Sequence, residues 1–381
     1  MKRVVFFESA QNLGGARIAT VDLAERLTDY YDCHIVDAHG SCSQFVDYCK
    51  KKDLQLHIVH GLSEPTVISS KTKIQSIFNL LKSVPLLLTT KRKSLQLLGT
   101  LDADYVCVNS LRTLFYMYRH KLKAKIVFFA HGWYIPRQIS PILKFLFKKT
   151  VDIFVCGSEA TRHALFCGNI APLSKLEVVH IGIDETRMTL NKAQFGGVNN
   201  GVKILHAAGF TCGKGQLVSV EVARLLKERG LPFKMILAGL IYAGQESQSY
   251  YDKVLTLIKQ YGLESEVELV TNKSNIIDYM RACDILIHPS DSEGLGMVIM
   301  EAMCLKKVVV CNAVGGTIDM VLDGFTGYLT RYNNVEDYVG RIEQLYNDKS
   351  LYQYISDNAY SLIQNSFTIQ KQVDAICRIF K

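Results

Sequence analysis

Two glutamates eight residues apart, Glu293 and Glu301, bracket the start of a helix-period stretch within residues 285–305, ILIHPSDSEGLGMVIMEAMCL. An apolar run leads into a polar turn, and Gly294, Leu295, Gly296 and Met297 open the stretch. Glycines let the backbone approach a ligand closely, while the free N–H groups and dipole of a helix start favour phosphate oxygens. The turn therefore suits an anion. Glu301 lies inside the helix, where a carboxylate can accept a pair of hydroxyl hydrogen bonds, as acids that bind ribose do. Glu293 sits at the turn itself, nearer the reacting end. Eight-residue spacing alone is common on helix surfaces; the surrounding forty residues carry the specificity.

Such a turn has to be held by a strand before it and a helix after it, and the whole chain repeats that unit. Apolar runs at 4–7, 105–108, 126–130 and 153–156 each lead into a polar loop and a helix-period stretch. After Asn199, Asn200 and Gly201 a second series begins, at 202–207, 235–238, 267–270, 285–288 and 308–311. Fully apolar strands alternating with helices imply parallel sheets covered on both faces. The expected fold class is α/β, two doubly wound Rossmann-like domains facing a cleft, with ligands beyond the carboxyl ends of the strands. The expected division is 1–195 for the first domain, 196–365 for the second, and 366–381 as a C-terminal helix packing back on the first.

Length and composition agree. At 381 residues the chain exceeds one ordinary core. Hydrophobic residues make up 48% and charged residues 21%, which is ordinary globular usage. The eleven cysteines form no C-x-x-C pair and follow no apolar leader, so zinc ribbons, thioredoxin-type redox chemistry and secretion lose support. No apolar run approaches the ~20 residues of a spanning helix. The expected place is the cytoplasm.

Charge is uneven. Of the net +8, residues 1–190 carry 25 Lys/Arg against 16 Asp/Glu, and residues 65–151 hold 15 Lys/Arg with two acids, Asp102 and Asp104. A sector so poor in acids points to an anionic partner, although a solvated lysine-rich face explains it about as well. Apolar patterning favours the first. Ile74, Ile77, Phe78 and Leu81 follow helical spacing beside Lys71, Lys73 and Lys82, before Pro85 is expected to break the helix. Lys144, Phe145, Leu146, Phe147, Lys148 and Lys149 repeat the mixture. Such segments can lie on an anionic bilayer surface, so residues 71–149 are the expected membrane contact. Nucleic acid would need the same charge, but no zinc-finger, RNA-recognition or helix-turn-helix signature accompanies it.

The 285–305 segment resembles the E-x7-E signature of glycosyltransferase family 4, retaining enzymes of the GT-B fold that move sugars from nucleotide diphosphates. The flanks match too: HPSDSEGLGMVIMEAM is followed by VVVCN and AVGGTIDMVLDGFTGYL. The resemblance implies that Glu293 contacts the transferred sugar, Glu301 the ribose, and the backbone of Gly294, Leu295, Gly296 and Met297 the diphosphate. Gly14 and Gly15, in NLGGA after the first run, resemble the family's glycine-rich loop near donor and acceptor. His131 in VFFAHGW stands where the family keeps a histidine beside the donor sugar. Lys214 in AAGFTCGKGQ matches its phosphate-facing lysine, a fixed cation against charge on the leaving group. The family's segment at the domain junction is present in altered form as Ile181, Gly182, Ile183 and Asp184.

The resemblance further implies a UDP- or GDP-linked donor, a glycan or lipid-linked acceptor, no cofactor and no metal, with front-face attack on an oxocarbenium-like centre. Joined to the basic amphipathic sector, that chemistry leads to an expectation of peripheral attachment at the inner face of the cell membrane, with a lipid-linked sugar as acceptor. Asp102-Ala103-Asp104 has the look of a metal-binding D-x-D, but it precedes a strand of the first domain and reads as structural. One departure stands out: where the family carries an arginine before the lysine, this chain has Ala208, Gly209 and Phe210. Either Lys214 and the loop amides carry the phosphate charge, or Arg17 or Arg112 reaches in, or activity is weakened. An epimerase or phosphorylase of the same architecture, and a catalytically silent binding protein, stay open. A dinucleotide dehydrogenase is poorer, since no G-x-G-x-x-G follows residues 4–7.

Overall fold

Successive strand residues point to opposite faces, so an unbroken apolar run such as VVFF at 4–7 demands cover on both sides. The computed structural model supplies that cover twice. It describes residues 1–11, 13–61, 73–184, 201–242, 244–272 and 275–381, with backbone only for 73–82 and Gln138. The chain divides into two units, Met1–Gly182 with Ile369–Lys381, and Ile183–Thr368. The first division thus falls thirteen residues before the 195 expected from the two series of apolar runs. The junction expected near 195–201 lies, apart from Gly201, outside the described residues.

In the first unit, β1 (Arg3–Glu8), β2 (Asp32–Asp37), β3 (Gln55–Ile58), β4 (Tyr105–Val108), β5 (Lys125–Ala130), β6 (Ile153–Cys156) and β7 (Leu176–Val178) form one parallel sheet. Its order is β3-β2-β1-β4-β5-β6-β7. Val4 and Phe6 join one buried cluster with residues of α1 (Gly15–Leu27) and α2 (Ser43–Lys51). Val5 and Phe7 join the other, with α3 (Lys73–Leu101), α4 (Leu111–Met117) and α5 (Pro141–Thr150). The helix α6 (Glu159–Cys167) adds Leu165 to that second cluster.

Pro85 does not end α3, which runs through it. An interior proline forfeits a ladder hydrogen bond and crowds the preceding turn, for about 3 kcal/mol. Beyond it, Leu87, Leu95, Leu97, Leu98 and Leu101 pack on the sheet and offset that loss. The sequence pattern cannot register this burial, because it belongs to the partner surface. Lys71 lies outside the described residues, and so do the side chains of Ile74, Ile77, Phe78, Leu81 and Lys82 that carried the amphipathic reading.

The second unit repeats the design. β8 (Val202–Ala207), β9 (Phe233–Gly239), β10 (Val267–Thr271), β11 (Ile285–His288), β12 (Val308–Asn312) and β13 (Tyr328–Thr330) form a parallel sheet in the order β10-β9-β8-β11-β12-β13. Around it lie α7 (Gln216–Glu228), α8 (Gln245–Gln260), α9 (Ile276–Ala282), α10 (Met297–Cys304), α11 (Val335–Asn347) and α12 (Lys349–Ser366). The last helix, α13 (Ile369–Ile379), returns to the first unit, where Ile369, Val373, Ile376 and Phe380 enter the core beside α1. No helix among the described residues is long and apolar enough to cross a membrane.

Candidate functional site

In both sheets the strand order reverses beside the first strand. In open parallel sheets ligands bind at such a reversal, beyond the carboxyl ends of the strands, and in the second unit β8 and β11 are the neighbours there. The second unit's chemistry gathers there. The loop after β8 carries Lys214, and the loop after β11 carries Glu293. Hydrogen bonds to backbone carbonyls hold these loops. Asp291 N–H donates to the Gly213 carbonyl at 2.9 Å, the Ser290 hydroxyl donates to the same oxygen at 3.2 Å, and Gln216 Nε2 donates to Ala208 and Gly209 carbonyls. Gly215 permits the approach: its φ is +76°, and a Cβ there would lie 2.0 Å from the Pro289 oxygen. No other residue type fits both conditions.

Within that frame Lys214 Nζ stands 2.5 Å from Glu293 Oε1, and His288 Nε2 stands 2.8 Å from the same oxygen. Burial pushes the Glu293 carboxyl up, but the His288 hydrogen bond together with the Lys214 ammonium outweighs it and holds the group well below the usual carboxylate range. His288 ends β11 and is buried; His206 of β8 meets it edge to face at 6.1 Å and is anchored through Nδ1 by the Ser219 hydroxyl at 2.7 Å. Burial drives the His206 pKa far down, so that ring is neutral.

The turn ends at Gly296, whose φ is +97°, and α10 begins with no side-chain cap and no acid in its first turn. Its leading N–H groups face an approaching anion without a competing carboxylate. Gly316 N–H donates to the Glu293 carbonyl at 3.1 Å, tying the loop after β12 to the same turn. Leu295 is buried and Met297 is the first residue of α10. Glu301 lies one turn further, and burial pushes its carboxyl up to about 7. It meets no side-chain hydrogen-bond or ion-pair partner among the described residues.

Gly14, Gly15 and His131 belong to the first unit. Gly14 precedes α1 with extended backbone, φ −90°, and Gly15 opens that helix, so neither is required by a left-handed conformation. His131 follows β5; its Nε2 is buried without a hydrogen-bond partner among the described residues, and burial pushes the imidazole down to about 4. It is a neutral ring at physiological pH. The structure thus joins Lys214 to Glu293 directly, with Glu301 and residues 294–297 on the same turn and helix, while the remaining three residues sit on the other sheet.

Phe210, at the place of the absent arginine, is wholly buried, with its ring edge-on to Tyr251 at 5.1 Å. Gly209 is covered by Tyr242. Arg17 and Arg112 are both in the first unit, where Arg17 donates to the Ser9 carbonyl and lies 3.8 Å from Glu8. Asp104 accepts from the Arg3 backbone N–H at 2.8 Å and Asp102 takes a left-handed turn conformation, so the D-x-D is occupied with structure. Sequence reasoning missed His288 and His206. The signal was present in HPSDSEG, a histidine ending the strand that feeds the turn, but nothing in the spacing pairs it with Glu293.

Residues 13–187 match the family model described as Glycosyltransferase Family 4, and residues 189–362 match the one described as Glycosyl transferases group 1. Among curated relatives, an uncharacterised glycosyltransferase of Methanocaldococcus jannaschii is 29% identical over 179 residues, covering 46% of this chain and 47% of that protein. The capsular polysaccharide biosynthesis glycosyltransferase CapM of Staphylococcus aureus is 24% identical over 222 residues, 56% of this chain and 57% of that one. The chain spans about half the length of the curated relatives it matches. Of solved structures, Anabaena HepE in complex with UDP and glucose superposes with a TM-score of 0.82 at 19% identity, covering 100% of this chain and 99% of that one.

Proposed function

Since the chain belongs to glycosyltransferase family 4, with the two-domain GT-B fold, we propose that it moves a sugar from a nucleotide-diphosphate sugar to a hydroxyl of a glycan or lipid-linked acceptor. The anomeric configuration is retained, and the product belongs to a cell-surface polysaccharide or glycolipid. The carrying observation is the Lys214–Glu293 pair in the loops that follow β8 and β11, beside the uncapped start of α10. HepE's complex with UDP and glucose and CapM's role in capsular polysaccharide support the substrate class.

In this reading, cleavage of the anomeric C–O bond places negative charge on the departing diphosphate, where the Lys214 ammonium and the first N–H groups of α10 stabilise it. The ionised Glu293 faces the sugar, whose ring carries positive charge in the transition state. Glu301 accepts from the ribose hydroxyls. His131, neutral, offers hydrogen bonds rather than charge. The departing phosphate takes the acceptor's proton as the acceptor attacks from the same face.

The same reading places the first unit against an anionic membrane surface. Leu88, Phe115, Phe145 and Ile142 expose apolar side chains along α3, α4 and α5, with Lys148 and Lys149 beside them. Lys91 lies over the Phe115 and Tyr118 rings, and Tyr118 packs on Phe145, so the residues form one face. The inward Phe210 favours a second reading, a silent nucleotide-sugar-binding protein.

A panel of UDP- and GDP-sugars tested for thermal stabilisation and for slow hydrolysis decides between them. One donor that both stabilises the protein and is turned over is the expected result. Stabilisation without turnover, with or without acceptors, supports the silent protein; no binding by any nucleotide sugar overturns the proposal.

A further inference from the structure

Glu293 offers two oxygens, yet both of its donors converge on Oε1. The donors differ in freedom. His288 ends a central strand, is 2% exposed, and packs against the anchored His206 ring. Lys214 reaches from a short turn on four rotatable bonds, and its side chain is 34% exposed. One donor is fixed in the core and the other can swing.

The tautomer follows from the surroundings. His288 Nδ1 is buried and has no hydrogen-bond partner among the described residues, whereas Nε2 faces a carboxylate. A proton on Nδ1 would be a buried orphan, so Nε2 carries the hydrogen and donates it. Lys214, in contrast, is shared. An ammonium 2.5 Å from a carboxylate is largely neutralised by it and stabilises a diphosphate less than a free one does.

We infer that His288 is the positioning residue for Glu293, keeping the carboxylate in place while the Lys214 ammonium passes from it to the diphosphate of the bound donor. The inference rests on the transferase reading above and adds the hand-over to it. A diphosphate carries more charge than one carboxylate and competes well for the ammonium. A Glu293 then left without a donor, close to that diphosphate, would turn away or take up a proton. The hydrogen bond from the buried imidazole opposes both.

The test compares His288→Leu, which keeps bulk without a donor, with His288→Gln, which restores an N–H near Nε2. On the donor sugar found by screening, Leu lowers kcat by about 100-fold, the scale of misplacing a group near the reacting atoms. Its donor KM changes by less than about threefold, because ground-state binding is untouched. Gln recovers most of kcat, and both variants keep the wild-type circular dichroism spectrum. Lys214→Ala instead raises KM as well. In imidazole ¹⁵N NMR, His288 carries its proton on Nε2 with and without UDP, and the signal shifts in Glu293→Leu.

A Leu variant with wild-type kcat overturns the inference. So do equal losses in Leu and Gln, or an Nδ1–H tautomer. The NMR arm needs no turnover: a wild-type protein inert toward every nucleotide sugar ends the transferase reading, while the tautomer still reports whether His288 holds Glu293.

Discussion

Glu293 and Glu301 share one turn and helix, yet their surroundings drive their acidities apart. Two donors hold Glu293 ionised, whereas Glu301 has burial alone acting on it and reaches about 7. Two roles follow from one residue type. Glu293→Gln and Lys214→Ala each lower the transfer rate by at least ~100-fold in steady-state assays, the scale of a lost charge-stabilising contact; full activity in either removes that assignment. For Glu301 the sign is set by its raised pKa. Below about 7 it is protonated and accepts poorly; above, both oxygens accept. Calorimetry should therefore find UDP affinity rising by about tenfold as pH passes upward through that value, with Glu301→Gln flat. The same shift makes the folded protein hold a proton that the unfolded chain releases from 4.5 upward, so this group's contribution to stability falls as pH rises from 4.5 to about 7.

At the scale of elements, the site depends on a glycine that does no chemistry. Gly215 lets the β8 and β11 loops touch, and Gly215→Ala adds left-handed strain and a clash with the Pro289 carbonyl. Urea denaturation should show a loss of about 2 kcal/mol or more, with transfer activity falling too. Gly213→Ala, where a Cβ meets nothing within 4 Å, is the near-neutral control. The elements themselves were unequally legible. Interior strands such as β1, β5 and β11 announce themselves as apolar runs. β3, β7 and β13 are edge strands of three or four residues with polar side chains, QLHI, LEV and YLT, and carry no such signal. β2 hides for a different reason: His34 is buried but bonded to Asp32 and His57, partners that no local pattern reveals.

At the scale of the whole molecule, the chain ends by returning to its beginning. Phe380 stacks on Tyr105 at 4.3 Å and meets Tyr31 edge-on, and the Tyr105 hydroxyl donates to the Lys381 carbonyl. α13 is thus core of the first unit, although the preceding 186 residues belong to the second. Phe380→Ala should cost about 3–5 kcal/mol of that unit's stability, read from its denaturation midpoint. The basic sector is tested at this scale as well. Flotation with vesicles should rise with anionic lipid content and fall in an Ile142→Ser/Phe145→Ser double variant; binding indifferent to lipid charge rejects the membrane proposal.

From sequence alone came the α/β repetition and the glycine turn with its acid pair, because each is local: a run of apolar residues, two glycines at a helix start, a fixed spacing. Lys214 was singled out only by its resemblance to the family's lysine. Tertiary structure decided what depends on atoms far apart in the chain. Lys214 and Glu293 are 79 residues apart and meet only because β8 and β11 are neighbours. His288 becomes a hydrogen-bond donor to Glu293 because its other nitrogen is buried without one. Phe210 turns inward because a core awaits it. Spacing specifies which groups are available, whereas strand order and burial determine which of them touch and in what charge state.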